Sequence, residues 1–127
     1  MNLLDENIRQ DQEVLLRKWR VKVRRFSSEI ARPGTQDADI IPVLHRLKRP
    51  TFFSHDQDFY KLRLAHLSYC LVWLDLYDGD AATFIRRFLI HPGFRTQAQR
   101  LGKVLRVHPN GIAYWETRSR NRGFARW

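Results

Sequence analysis

Cysteine is nearly absent from this sequence. The single copy, Cys70, excludes an internal disulfide framework and a cysteine-rich zinc site. Long hydrophobic runs are absent too. The longest, residues 69–74, falls far short of the ~20 residues that a membrane-spanning helix needs. The opening residues Met1-Asn2-Leu3-Leu4-Asp5-Glu6 lack the basic-then-apolar layout of a secretory signal, so a cytoplasmic protein with no membrane association is expected. No P-loop and no Gly-x-Gly-x-x-Gly occurs, and His45, His55, His66, His91 and His108 are scattered without a helical His-x-x-x-His pair. Acid is scarce: 13 Asp and Glu stand against 23 Lys and Arg, a net charge of +10.

What is present is a core. The 127 residues include sixteen aromatics and are 43% hydrophobic, which excludes a disordered basic tail. A chain of this length forms one domain and buries roughly two-thirds of its unfolded surface. The charge is uneven. Residues 1–85 carry 13 basic and 12 acidic side chains, whereas residues 86–127 carry 10 basic side chains and one acid, Glu116. Such asymmetry points to a polyanionic partner on the C-terminal side. Arg86, Arg87, Arg95, Arg100, Lys103 and Arg106 are the candidates for phosphate contacts. Trp115 and Trp127 flank arginines and are candidates for base stacking, with hairpin packing the competing use of Trp115.

Hydrophobic periodicity orders the chain. Residues 2–4 read as a strand stopped by Asp5-Glu6-Asn7. Residues 8–19 read as a helix with Ile8, Val14, Leu15 and Trp19 inward, and residues 21–26 as a second strand. Pro33-Gly34 is a breaker, and Thr35, Asp37 or Asp39 could cap a helix over 38–48 with Pro42 in its first turn. Residues 51–54 form a third strand. The continuous apolar run 69–74 suits a strand buried on both faces of a parallel sheet. Asp78-Gly79-Asp80 opens another helix, and a short one runs from Thr96 to Leu101. Residues 103–107 and 112–115 flank Asn110-Gly111, a hairpin signal. The order predicts a layered α/β domain over residues 1–116 with a mostly parallel, Rossmann-like sheet, flanking helices and a C-terminal β-hairpin. Residues 117–127, with four arginines and no acid, are expected to be a basic mobile tail.

The few acids are placed informatively. Sites in open parallel sheets form beyond the carboxyl ends of the strands. Asp5 and Glu6 follow the first strand, Asp56 and Asp58 follow the third, and Asp37 and Asp39 stand at the start of the helix between them. Converging carboxylates repel one another unless a cation sits between them, and hard cations such as Mg²⁺ and Mn²⁺ prefer oxygen ligands. Each acid also has a plain structural use: Asp37 or Asp39 can cap a helix, Asp58 can end a turn, and Asp5 and Glu6 can sit in a solvated loop.

Two stretches carry a family likeness. Leu3-Leu4-Asp5-Glu6-Asn7 resembles the opening of small PIN-like nuclease-fold proteins. Asp37-Ala38-Asp39-Ile40 and Thr51-Phe52-Phe53-Ser54-His55-Asp56-Gln57-Asp58-Phe59 resemble the acidic helix start and the strand ending in Thr/Ser-x-Asp-x-Asp-Phe of that family. The likeness covers about residues 1–75. It implies a Mg²⁺- or Mn²⁺-dependent acidic centre and phosphodiester hydrolysis of RNA. It also implies a VapC-type toxin of a toxin–antitoxin pair, with RNA as substrate, a small antitoxin protein as partner and a homodimer as a candidate assembly. By position, Asp5 matches the first catalytic aspartate, Asp37 the acid at the helix start with Asp39 as rival, and Asp56 and Asp58 the acids after the strand. Asp5, Asp37 and Asp56 would then hold the metal, with Glu6, Asp39 or Asp58 in support. The mid-chain glutamate of the family has no clear counterpart; Glu6 is the candidate substitute. The alternative reading is a non-catalytic module of the same fold that binds nucleic acid or a partner protein.

Overall fold

A computed structural model of the chain describes residues 1–30 and 37–127, with the backbone alone at residues 37 and 38. Pro33, Gly34 and Thr35 lie outside the described residues. Among the described residues seven strands form one sheet: β1 (Asn2–Leu4), β2 (Arg24–Arg25), β3 (Thr51–Ser54), β4 (Cys70–Leu74), β5 (Lys103–His108), β6 (Gly111–Glu116) and β7 (Arg122–Ala125). Their order across the sheet is β2-β1-β3-β4-β5-β6-β7. The first five are mutually parallel, and β6 and β7 are added antiparallel. The helices are α1 (Gln10–Lys18), α2 (Asp37–Arg46), α3 (Ala81–Ile90) and α4 (Gln97–Arg100). Among the described residues, no helix is long and apolar enough to cross a membrane.

The central strands carry apolar residues in pairs because both sheet faces are covered. Leu4, Phe53, Val72 and Leu105 face a core with Leu16 of α1 and Ile85 and Phe88 of α3. Their chain neighbours Leu3, Phe52, Leu71 and Val104 face a second core with Ile40 and Leu44 of α2 and with Phe59. Successive side chains on a strand point to opposite faces, so each adjacent pair fills both cores.

Local differences from the sequence expectation have local causes. The first helix begins at Gln10, so Ile8 lies before it, and its inward line runs through Gln12 and Leu16. Val14 sits on the opposite side of that helix and is 58% exposed. Gln12 is buried because its Oε1 accepts from the Ala82 N–H at 2.9 Å, satisfying one of the orphan donors at the start of α3. Asp80 makes no side-chain cap there. The second helix begins at Asp37, which places Pro42 inside the helix rather than in its first turn, at the loss of one intrahelical bond. Thr96 and Gln99 form a reciprocal capping box that starts α4.

Residues 117–127 are not simply a tail. Arg122–Ala125 pair with β6, placing Ala125 opposite Ile112 and Gly123 opposite Tyr114. Trp127 packs on Phe84, its indole N–H donates to the His108 carbonyl at 2.8 Å, and Arg87 lies over its ring. Counting basic residues hides this, because Arg122 and Phe124 lie on the uncovered face of the sheet while Gly123 and Ala125 lie on the core face. Removal of residues 122–127 is therefore expected to destabilise the domain by about 2 kcal/mol, roughly 8 °C in Tm. A truncated chain that melts with the full-length protein in calorimetry would restore the tail reading.

Candidate functional site

The chain leaves β1 to make β2 on one side and returns to make β3 on the other. Between β1 and β3 the strand order therefore reverses, and the crevice beyond their carboxyl ends is where open α/β sheets place ligands. Asp5 and Ser54 are the residues that meet there. Asp5 continues the β1 pairing, its N–H donating to the Phe53 carbonyl at 2.9 Å.

Asp5 is buried at 6% exposure, and Ser54 is fully buried. The Ser54 hydroxyl donates to Asp5 Oδ2 at 2.6 Å, and the Glu6 N–H donates to Asp5 Oδ1 at 2.8 Å. Ser54 Oγ also accepts from Asn7 Nδ2 at 3.1 Å and from the Asp56 N–H at 3.0 Å, so its one donor and two lone pairs are all used. Asn7 Oδ1 accepts from the His55 N–H at 3.1 Å, which zips the loop after β1 to the loop after β3. Arg25 of β2 holds that first loop from the other side. Its guanidinium donates to the Ile8 carbonyl at 2.8 Å and the Asp5 carbonyl at 3.3 Å, and pairs with Glu13 at 2.6 Å.

Burial pushes the Asp5 carboxyl above the usual aspartate range, and the charges of Glu6 and Asp56 push it the same way. The bonds from Ser54 and Glu6 oppose that rise without cancelling it. Glu6 is exposed, and with Asn7, Arg9, Glu13, Arg25 and Ser28 it lines an open depression of about 650 Å³ beside the Asp5 loop. Among the described residues, Asp5, Glu6 and Asp56 form no ion pair, whereas Asp11, Glu13, Glu29, Asp58, Asp75 and Asp78 do.

The remaining candidates are placed elsewhere or otherwise occupied. Asp56 accepts from the Asp58 N–H at 2.9 Å, capping the 3₁₀ turn Gln57–Phe59. Asp58 is exposed, lies 3.5 Å from Lys61 and borders a separate hollow with Ile41 and Pro42. Asp39 is exposed on the first turns of α2, and the side chain of Asp37 lies outside the described residues. His55 sets Nδ1 3.0 Å from the Leu74 carbonyl. A carbonyl only accepts, so Nδ1 holds the proton, and buried Nε2 has no partner among the described residues. Burial pushes the Cys70 thiol up to about 12, far from nucleophilic use.

The six basic candidates do not form one surface. Arg86 and Arg87 lie on α3, over the rings of Trp19 and of Phe84 and Trp127. Arg95 is exposed before α4. Arg106 stands at the carboxyl edge, 2.6 Å from Asp75 and over Trp73. Lys103 donates to the Gln99 carbonyl at the opposite edge. Arg100 is a correction: it is buried, with Nε on Thr51 Oγ1 at 3.0 Å and Nη1 on the Phe94 carbonyl at 2.8 Å, so it braces the sheet and does not reach a phosphate. Periodicity could not reveal this, since α4 is a single turn.

Sequence reasoning passed over Ser54, Asn7 and Arg25 as positioning residues. The first two carried a signal, in Asp-Glu-Asn and Ser-x-Asp; Arg25 carried none. The chain matches no family model, no curated protein and no solved structure. The class that the fold and site define is an open α/β sheet protein with a buried aspartate at its switch point.

Two measurements bear on the site. A carboxyl whose folded pKa is raised contributes stability below its unfolded value, 3.8, and loses it as pH rises through the folded value. The Tm difference between Asp5→Asn and the native chain is therefore expected to move in the variant's favour between pH 3.5 and 7; a flat difference would overturn the raised pKa. Arg100→Ala, which strands two acceptors, is expected to cost about 2 kcal/mol in denaturant unfolding.

Proposed function

We propose that the chain is a metal-dependent ribonuclease whose centre is Asp5 with Asp56, supported by Glu6. The observation that carries this reading is that Asp5 is buried at the switch point of a protein with net charge +10, with the charges of Glu6 and Asp56 near enough to raise its pKa and no ion pair to any of the three among the described residues. Among those residues no group of three or more His, Cys, Asp or Glu is set to hold a metal. A hard divalent cation does not require one. Mg²⁺ is commonly held by one or two protein carboxylates with water and substrate oxygens completing the shell. The donor chemistry of Asp5 and Asp56 fits such an ion, and Asp37 is the further ligand that the sequence resemblance supplies.

A bound divalent ion would lower the pKa of a water and stabilise the leaving oxygen of a phosphodiester. The chain's own residues hold the geometry. Ser54 and the Glu6 N–H fix the Asp5 carboxylate, and Asn7 locks the two loops against each other. Arg25 keeps the Asp5–Ile8 backbone from opening. The antitoxin partner and the toxin role rest on the resemblance of Leu3-Leu4-Asp5-Glu6-Asn7 and are proposed with it.

One observation favours the second reading, a non-catalytic module that binds nucleic acid. Both Asp5 oxygens already accept protein hydrogen bonds. A single experiment separates the two. With Mn²⁺ the native chain is expected to cleave mixed-sequence RNA, and Asp5→Asn and Asp56→Asn to slow cleavage roughly 100-fold or more. Asp37→Asn is expected to act likewise, and Asp39→Asn and Asp58→Asn more mildly. Millimolar Mn²⁺ is also expected to raise the native Tm, and less so in the first two variants. No cleavage and no Tm shift in the native chain would leave the binding module.

A further inference from the structure

The two faces of the sheet are unequally covered at its β7 side. On one face Tyr114 and Ala125 pack against the core that holds α1 and α3. The other face continues outward from the candidate centre in a straight row. Register pairs Ser54 with Trp73, Trp73 with Arg106, Arg106 with Ala113 and Ala113 with Phe124. Asp5 stands beside Ser54 at the start of that row, since Leu4 pairs with Phe53. The neighbouring row sets Val104 beside Trp115 and Trp115 beside Arg122. Cross-strand partners share a face, so Trp73, Arg106, Trp115, Arg122 and Phe124 lie on one side of the sheet.

That side is open and chemically patterned. Phe124 is 63% exposed, Arg122 is exposed, and Trp115 belongs to neither core. The arginines lie over the indoles: Arg106 is 5.3 Å from the Trp73 ring centre and Arg122 is 5.7 Å from that of Trp115. Tyr60 stacks obliquely on Trp73 at 5.6 Å. The Phe124 ring sits against Gly111, where a Cβ would come within 2.5 Å of it.

We propose that the open face of β6 and β7, bordered by Arg106 and half-buried Trp73, is a platform for single-stranded RNA, delivering the strand to Asp5. The proposal rests on the nuclease reading for the direction of the row, but the platform stands on its own residues. Aromatic rings accept bases whatever their sequence, and an arginine displaced from a ring by a base can turn to the adjacent phosphate. Charge complementarity selects a polyanion: Arg106 and Arg122 stand on this face and exposed Arg118 and Arg120 lie in the turn from β6 to β7, against one acid, Asp75, which Arg106 already pairs. At about 4.8 Å between strands the row from Asp5 to Phe124 is roughly 24 Å long, room for a few nucleotides. A duplex buries its base faces and cannot use the rings.

The test is fluorescence anisotropy of a labelled 12-nucleotide mixed-sequence RNA, single-stranded or as a duplex, with the full chain in EDTA so that no cleavage occurs. Single-stranded RNA is expected to bind more tightly than the duplex. Trp115→Ala and Phe124→Ala are each expected to weaken it roughly 5–50-fold. Arg122→Ala is expected to lower the slope of log affinity against log salt by about one. Val14→Ser, exposed on the far layer, is expected to change nothing. Equal affinity for duplex and single strand, or undiminished binding in both aromatic variants, overturns the platform. So does sedimentation showing a dimer that Phe124→Ala dissociates while RNA binding is absent. Binding without later Mn²⁺-dependent cleavage would overturn the nuclease reading and leave the platform standing.

Discussion

The hydrogen bond from Ser54 to Asp5 joins two strands that arrive from opposite directions of the chain's winding. Everything around the centre depends on it. The switch point separates α1, on one face after β1, from α2, on the other face before β3, so no helix can fill the gap between these two strand ends. Polar atoms at that gap have to satisfy one another. Ser54 does so with all three of its hydrogen-bonding capacities, and Asn7 closes the ring. The arrangement is rigid because each participant is already used. It is costly because the carboxylate at its middle is buried.

That cost is visible in the direction of the Asp5 pKa. A buried aspartate normally acquires an arginine, and this chain has many to give. Arg25 is the nearest case, yet it spends its donors on backbone carbonyls and on Glu13. Several other acids are paired with arginine. Glu29 is held below its ordinary range chiefly by the Arg25 N–H and by Arg24, and Asp75 meets Arg106. Leaving Asp5 charged among like charges is a strain of the kind that clusters at functional sites, where polar order serves chemistry rather than stability.

The parts of the fold legible in the sequence were those with one dominant signal. Leu3-Leu4, Phe52-Phe53 and Leu71-Val72 mark strands with both faces buried, and β1 and β3 span residues 2–4 and 51–54 as those pairs imply. Asp5 was legible because it follows such a run directly. The failures occurred where tertiary partners decide. Arg100 and Gln12 look like solvent residues and are buried, because each satisfies backbone groups of a distant element. Val14 looks like core and is exposed, because the inward line of α1 runs through Gln12 and Leu16, each about 200° away around the helix. The basic character of residues 117–127 concealed a strand whose inward positions are Gly123 and Ala125, too small to register as hydrophobic pattern.

The same distinction explains the asymmetry of the two faces. A parallel strand needs a crossover, and each crossover lays a helix or turn on the sheet, so the parallel half is covered on both sides. The hairpin from β5 to β6 needs only Pro109-Asn110, and the return to β7 is a short turn, so neither supplies a cover. One face of this added half is closed by Tyr114, Ala125 and Trp127, which reach back to α3 and its neighbours. The opposite face has no such reach. Its aromatics are kept soluble by arginines set over their rings, where the guanidinium shields apolar area while keeping its charge in water. An uncovered half-sheet built only for stability would alternate toward small polar residues there. Large rings and cations, in register with the buried Asp5 carboxyl, are the composition on which the proposed RNA platform rests.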